Sequence, residues 1–412
     1  VLDIKPMLLI GNPNNRRTQG LQEARHRVGL QPAVVLPYDE LLQTWRQGGT
    51  MIDAIHSNLP EPLIRIDAPG EVWEVERELL YLGAIQGRSP LLNGIDDTEA
   101  FSPEQTLMME QEWGRIYAPA QWFRGWKACL ERIGREAREM WPDVRFMNDP
   151  ADIGLMFDKR DCQQHLSRHG ILVPPTLQSL QPVRSYDILR TAMELARMHR
   201  VFVKLASGSG ASGVVAYQVN PLTGAEIAIT TVGMEHAQGQ TIFYNEGRLR
   251  RYTSREEISV LMNWLCAEGV QIERWMPKAT LEQRAYDIRQ LVAGGQAGHA
   301  IMRLSSTPIT NLHLRNERML PAEAGLAEEQ MSLVRTAAQA AMSAFPCSWS
   351  AGIDVMLTGG ANPRAYVLDV NPFGDLLYRV EHHGLGTYEW EMELLRKEPF
   401  QHAGYEHHRG LS

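Results

Sequence analysis

The stretch VFVKLASGSGASGVVAYQV, residues 201–219, constrains the fold more than any other part of the chain. Two β-like runs flank a loop made almost wholly of Gly, Ser and Ala, and Lys204 stands at the root of the first run. Taken alone, such a loop is an ordinary way to supply positive φ between strands. Its context excludes two common nucleotide folds. A Walker A loop places its lysine after the glycines and leads into a helix, whereas here the lysine comes first. A dinucleotide fingerprint also leads into a helix, and this loop returns to a strand. Two readings remain: a plain hairpin turn, or a strand-loop-strand cover whose N–H groups at 207–213 converge on phosphate beside Lys204.

At 412 residues the chain exceeds one ordinary core, so two or three domains are expected. A hydrophobic content of 44% and a charged content of 22%, without an apolar run that could span a bilayer, point to a soluble globular protein with no membrane partner. A formal charge of −8 argues against general nucleic-acid binding. Cys129, Cys162, Cys266 and Cys347 are widely spaced, with neither a CxxC nor a zinc pattern. No signal peptide reads ahead of the first strand, and a reducing cytoplasm is the expected location. An isologous homodimer is the default assembly.

MLLI (7–10), AVVLP (33–37) and LIRI (63–66) read as short strands, with helices after the first and over 73–85, which predicts a small open-sheet α/β domain over residues 1–100. Residues 101–155 change texture to a helical segment interrupted at Pro119, with Trp113, Trp122, Trp126 and Trp141 expected as packing anchors. A helix follows, ending at Gly170 and leading to a strand marked by two prolines. Further on, VQIERWM (270–276) reads as a strand. YDIRQLVAGGQAGHAIMRL (286–304) reads as a hairpin, 323–345 as a helix, and AGIDVML with AYVLDVN as a strand pair. The motifs EHH at 381–383 and 406–408 are weighed as metal ligands and set aside in favour of ordinary surface histidines.

Two constellations accompany the loop. Asp354, Asp369 and Asn371 stand at the ends of two antiparallel strands, and hard oxygen donors so placed suit Mg²⁺ bound to nucleotide phosphates, or else are solvated turn residues. Asp287, Arg289 and Arg303 share a hairpin, where two guanidiniums aimed the same way suit a transferring phosphoryl group, or else form surface salt bridges.

In order and spacing these segments resemble the ATP-grasp ligases, most of all the RimK-type and glutathione synthetase-like carboxylate–amine ligases, over roughly residues 156–380. FDKRDCQQHLSRHGILVPPT is similar to the family's opening helix, with Lys159 in the place of its nucleotide-contacting lysine. FVKLASGSGASGVV matches the glycine-rich lid, which implies that Lys204, Gly208, Ser209, Gly210 and Gly213 hold the nucleotide, with Ala211 where a glycine is usual. IERWM looks like the adenine hinge. The resemblance implies Glu273 near the exocyclic amine, the Arg274 carbonyl accepting from it and the Met276 N–H donating to the ring. Arg289, Arg303 and Asn311 take the catalytic positions around the reacting phosphate, and Asp354, Asp369 and Asn371 the metal positions. Asp369 replaces the usual glutamate, and NPFGDLL replaces the usual Asn-x-x-Pro-Gly turn.

The implied fold is α/β (α+β): an ATP-grasp fold with a pre-ATP-grasp-like open-sheet domain (1–100), a Trp-rich helical segment and linker (101–155), a lid subdomain (156–270), a C-terminal subdomain with the Mg²⁺ site (271–400) and a tail (401–412). The implied activity is ATP- and Mg²⁺-dependent joining of a carboxylate to an amine (an amino acid, peptide or protein tail) through an acylphosphate, with release of ADP and phosphate. The alternatives are a small-molecule kinase on the same cleft and a nucleotide-binding regulator without turnover.

Overall fold

The computed structural model describes residues 5–86, 101–208, 212–237, 239–310 and 317–397. The first region is built on β1 (Met7–Gly11), α1 (Arg16–Arg27), β2 (Val34–Pro37), α2 (Tyr38–Arg46), α3 (Met51–Ala54), β3 (Leu63–Ile66), α4 (Trp73–Ile85), α5 (Pro103–Met108), α6 (Pro119–Met140) and β4 (Arg145–Phe146). Its four strands form a parallel sheet in the order β2-β1-β3-β4. Every residue of β1 and β3 is buried, as expected where helices cover both faces of a parallel sheet.

Pro119 opens α6 rather than interrupting a helix, because its missing N–H and fixed φ suit the first helical position. The buried face of α6 carries Phe123, Trp126, Leu130, Ile133 and Ala137, which share one core with Leu8, Ile10 and Ile64 of the sheet. Trp126 and Trp141 are the anchors their type suggested and Trp122 packs at the margin of this core. Trp113, by contrast, is 90% exposed.

The second region contains α7 (Pro150–Phe157), α8 (Lys159–Arg168), α9 (Tyr186–Leu195), β5 (Arg200–Leu205), β6 (Val214–Val219), β7 (Glu226–Ala237), β8 (Gln240–Tyr252), α10 (Arg255–Glu268) and β9 (Val270–Arg274). Its strands form an antiparallel sheet in the order β8-β7-β6-β5-β9. The expected strand after Gly170 is an extended segment with one bridge, Thr176 to Glu273; the N–H groups of two prolines are missing from it.

The third region contains β10 (Thr280–Leu281), β11 (Arg284–Ala293), β12 (Gln296–Ser305), β13 (Glu317–Met319), α11 (Glu328–Ser343), β14 (Ser350–Leu357), β15 (Ala365–Asn371) and α12 (Thr387–Lys397). The sheet order is β13-β12-β11-β14-β15, with β10 pairing β11. β11 and β12 form the expected hairpin through Gly294 and Gly295, both at positive φ (55° and 73°). The helix expected over 323–345 is shorter, Glu328–Ser343. α12 returns to the first sheet, where Tyr388, Met392 and Leu395 pack with Met7, Leu9, Leu21 and Ala24. Among the described residues no helix is long and apolar enough to cross a membrane.

Candidate functional site

The second and third sheets are joined at the start of α8. Asp158 caps this helix, its carboxylate accepting from the Arg160 N–H at 2.9 Å and the Asp161 N–H at 3.3 Å. The next residue, Lys159, donates its backbone N–H to Ala206 O at the end of β5 (2.8 Å), and its Nζ lies 2.7 Å from Asp369 Oδ2 on β15. One residue therefore fixes the helix to the glycine-rich loop and to the putting-together point of the acids on the third sheet.

Lys204 Nζ lies 2.5 Å from Glu273 Oε1, on the neighbouring strand β9. Gln163 Nε2 and Gln271 Nε2 donate to Glu273 Oε2 at 2.7 and 2.9 Å, and Glu273 is 2% exposed. Glu273, expected near the adenine, is held in this structure by Lys204, Gln163 and Gln271. Arg274 is exposed and its N–H donates to Pro175 O (2.8 Å), while Met276 is half-buried beyond it. At the two ends of the loop, Gly208 donates to Leu205 O (3.3 Å) and Gly213 has φ +69°. A Cβ at Gly213 would stand 2.3 Å from Leu205 Cδ1, so glycine is required there on both steric and torsional grounds. Ser209, Gly210, Ala211 and Asn311 lie outside the described residues.

On the third sheet, Asp354 and Asp369 face each other in register across β14 and β15, and Asn371 faces Gly352. Arg289 Nε and Arg303 Nη2 approach Asp354 Oδ1 to 2.7 and 3.0 Å. The expected convergence of the two arginines is present, and the centre on which they converge is a candidate metal ligand. Arg303 Nε also lies 2.7 Å from Asp287 Oδ1, whose other oxygen takes Lys278 Nζ at 2.6 Å and the Thr310 hydroxyl. Lys278 was not singled out by sequence; its only signal is its place two residues beyond the hinge. Arg17 and Asp375 were also missed. Arg17 Nη1 donates to Phe373 O (2.9 Å), and Asp375 Oδ2 lies 3.5 Å from Arg289 Nε.

Burial raises the Asp354 carboxyl above its usual range, Arg289 and Arg303 offsetting this only in part, with Asp287 and Asp369 adding to it. Burial acts the same way on Asp369, but Lys159, with Lys204 and Arg289, outweighs it and holds that carboxyl below the usual range. Burial of Asp287 is likewise overcome, by Arg303 and Lys278, and its carboxyl falls to about 2.

Asp354, Asp369 and the Asn371 amide oxygen form a hard-oxygen donor set of the type Mg²⁺ accepts. The Asn371 amide nitrogen is already used, donating to Gly352 O at 3.0 Å, which turns its oxygen away from that bond. Among the described residues there is no cluster of three or more His, Cys, Asp or Glu able to hold a metal, so this set needs outside oxygens, such as phosphate and water, to complete a coordination shell.

No family profile matches the chain, and no curated protein matches it by sequence. Among solved structures it is similar to D-cycloserine synthetase DcsG over 95% of this chain and 99% of that one, at 15% identity and a TM-score of 0.51. The ATP-grasp ligase PsnB complexed with a minimal precursor aligns over 91% and 92% of the two chains, at 14% identity and a TM-score of 0.47. D-alanine–D-alanine ligase from Bacillus anthracis complexed with ATP aligns over 95% and 92%, at 13% identity and a TM-score of 0.46. At such identities the likeness is one of fold alone: this chain shares with these ligase structures a mixed α/β fold with parallel and antiparallel sheets.

Proposed function

We propose that the protein is an ATP-dependent ligase of the RimK type, joining a carboxylate to an amine through an acylphosphate and releasing ADP and phosphate. The observation that carries this reading is the pairing of Asp354 with Arg289 and Arg303 (2.7 and 3.0 Å) beside the pairing of Asp369 with Lys159 (2.7 Å). Each of these three cations is neutralised by an acid suited to a divalent cation. Binding Mg²⁺ and ATP together exchanges partners on both sides without leaving a buried charge alone, whereas either one bound by itself strands half the set.

Asp354, Asp369 and Asn371 would hold Mg²⁺, which when bound would supply neutralisation of phosphate charge. Lys159 and Lys204 bind the phosphates from the loop side. Arg289 and Arg303 orient the reacting phosphate and disperse the charge that develops as the carboxylate attacks it.

The test is ADP release over a panel of amino acids, small peptides and amines with Mg²⁺ and ATP. Release that requires an acid and an amine, with formation of an amide, supports the ligase, and a phosphorylated acceptor without an amide overturns it. Asp354→Ala should abolish ADP formation while the protein stays folded; normal turnover in that variant removes the metal assignment.

A further inference from the structure

Glu273, Asp287, Asp354 and Asp369 each meet a cation at 2.7 Å or less. Asp375 does not. Among the described residues the closest cationic nitrogen to its carboxylate is Arg289 Nε, at 3.5 Å, and its side chain is 23% exposed.

The loop that carries Asp375 is held by hydrogen bonds at three of the four residues before it. Asn371 donates to Gly352 O (3.0 Å), the Asn148 amide donates to Pro372 O, and Arg17 donates to Phe373 O (2.9 Å). The Phe373 ring stands 6.4 Å from Trp126 and 6.4 Å from Phe157. Gly374 has φ +62°, and a Cβ there would sit 3.1 Å from Glu391 Oε1 and 3.2 Å from Ser350 Oγ. A turn held this firmly, from both the first region and the third, presents one under-partnered acid beside Arg289, with Arg17 as its more distant cation. Preorganisation of that kind is what a reacting group requires.

We propose that Asp375 binds the incoming amine as its ammonium ion and accepts the proton that must leave before attack, an inference that rests on the carboxylate–amine ligase reading above. Arg289 stands between Asp375 and Asp354, 3.5 Å from one and 2.7 Å from the other, so an ammonium on Asp375 lies one guanidinium away from the reacting phosphate. When phosphate draws Arg289 to itself, Asp375 loses its nearest cation, and the ammonium takes that place. The ammonium then gives one proton to the Asp375 carboxylate. The freed lone pair forms the C–N bond at the acyl carbon, and the C–O bond to phosphate breaks with its electron pair on phosphate. The second nitrogen proton goes to the departing phosphate, and Asp375 returns its own to water.

Hydroxylamine is the discriminating probe, because near neutral pH it is mostly uncharged and needs no base to become a nucleophile. The full chain is incubated with Mg²⁺, ATP and a panel of L-amino acids and simple primary amines, with and without hydroxylamine, and amide, hydroxamate and ADP are measured. Asp375→Asn is expected to lower the ratio of amide to hydroxamate about 10²- to 10⁴-fold, the range of a lost general base. Asp375→Glu should recover part of that ratio. The residual amide rate of Asp375→Asn should climb with pH as free amine accumulates, a response that a merely structural role would not produce. A ratio within a few-fold of wild type overturns the proposal and leaves the ligase reading standing, as does a wild type that forms hydroxamate but no amide from any amine offered. A wild type that yields neither product nor ADP removes both.

Discussion

Arg65 Nη1 and Glu391 Oε2 lie 2.8 Å apart in a buried ion pair that links β3 to α12 across 326 residues of sequence. Glu391 is fully buried and Arg65 is 4% exposed, and the guanidinium also covers the Tyr388 ring at 4.8 Å. Removing one partner strands the other charge. Glu391→Ala should therefore cost about 3–5 kcal/mol of unfolding free energy in urea titration. The double variant Arg65→Met, Glu391→Leu should recover most of that loss, since replacing both charges with apolar groups leaves none unpaired. An additive double loss would show that the two residues act separately.

The contact between α4 and α6 is one of backbone on backbone. A Cβ at Gly83 would come within 1.9 Å of Gln121 O, and one at Gly125 within 1.8 Å of Leu79 O. Neither obstacle is a flexible side chain, so a methyl group forces the helices apart. Gly83→Ala should destabilise by about 3 kcal/mol or more, at or above the usual overpacking range. A thermal unfolding midpoint near that of wild type would contradict this packing.

His299 gives the fold a pH dependence of known sign. It is 1% exposed, its Nε2 donates to Leu385 O (2.8 Å), and its Nδ1 has no partner among the described residues. Burial lowers its pKa to about 4 from 6.5, the hydrogen bond to the Leu385 carbonyl offsetting this in part and His382 adding to it. Between pH 4 and 6.5 the unfolded chain binds more protons at this residue than the folded one, so stability falls as pH drops through that window. The loss is on the order of 3 kcal/mol at 1.36 kcal/mol per unit. His299→Gln should flatten this part of the profile of urea unfolding against pH; an unchanged slope would place the dependence elsewhere.

The parts of the fold that a sequence shows best are those made by neighbours in the chain. The hairpins around Gly294-Gly295 and around the glycine-rich loop are written in local alternation and turn chemistry, and so is the facing of Asp354 by Asp369. What stayed hidden depends on partners distant in sequence. Nothing near Thr387–Lys397 indicates that this helix completes the core around β1, because its partners are Met7, Leu9 and Leu21. The residue type of Glu273 suits a ligand contact, but the ring of Lys204, Gln163 and Gln271 around it comes from three different elements and is not legible locally. Asp375 became visible only when the residues before it were seen to be fixed by Asn148 and Arg17, each far away in the chain.

Lys204 and Glu273 combine a structural role with the proposed functional one, and the two can be separated. Lys204→Met leaves the Glu273 carboxylate, 2% exposed, with two neutral amides and no cation. This should cost about 3–5 kcal/mol of stability in denaturant unfolding, as for other broken buried pairs. Adding Glu273→Gln removes the stranded charge and should restore most of the stability, because Gln163 and Gln271 still find an amide oxygen in place of the carboxylate. It does not restore a cation for phosphate. The double variant should therefore unfold near the wild-type denaturant midpoint yet bind Mg-ATP about tenfold or more weakly in calorimetry, the cost of one charge-assisted contact. Wild-type affinity in the stable double variant would show that Lys204 serves the fold alone.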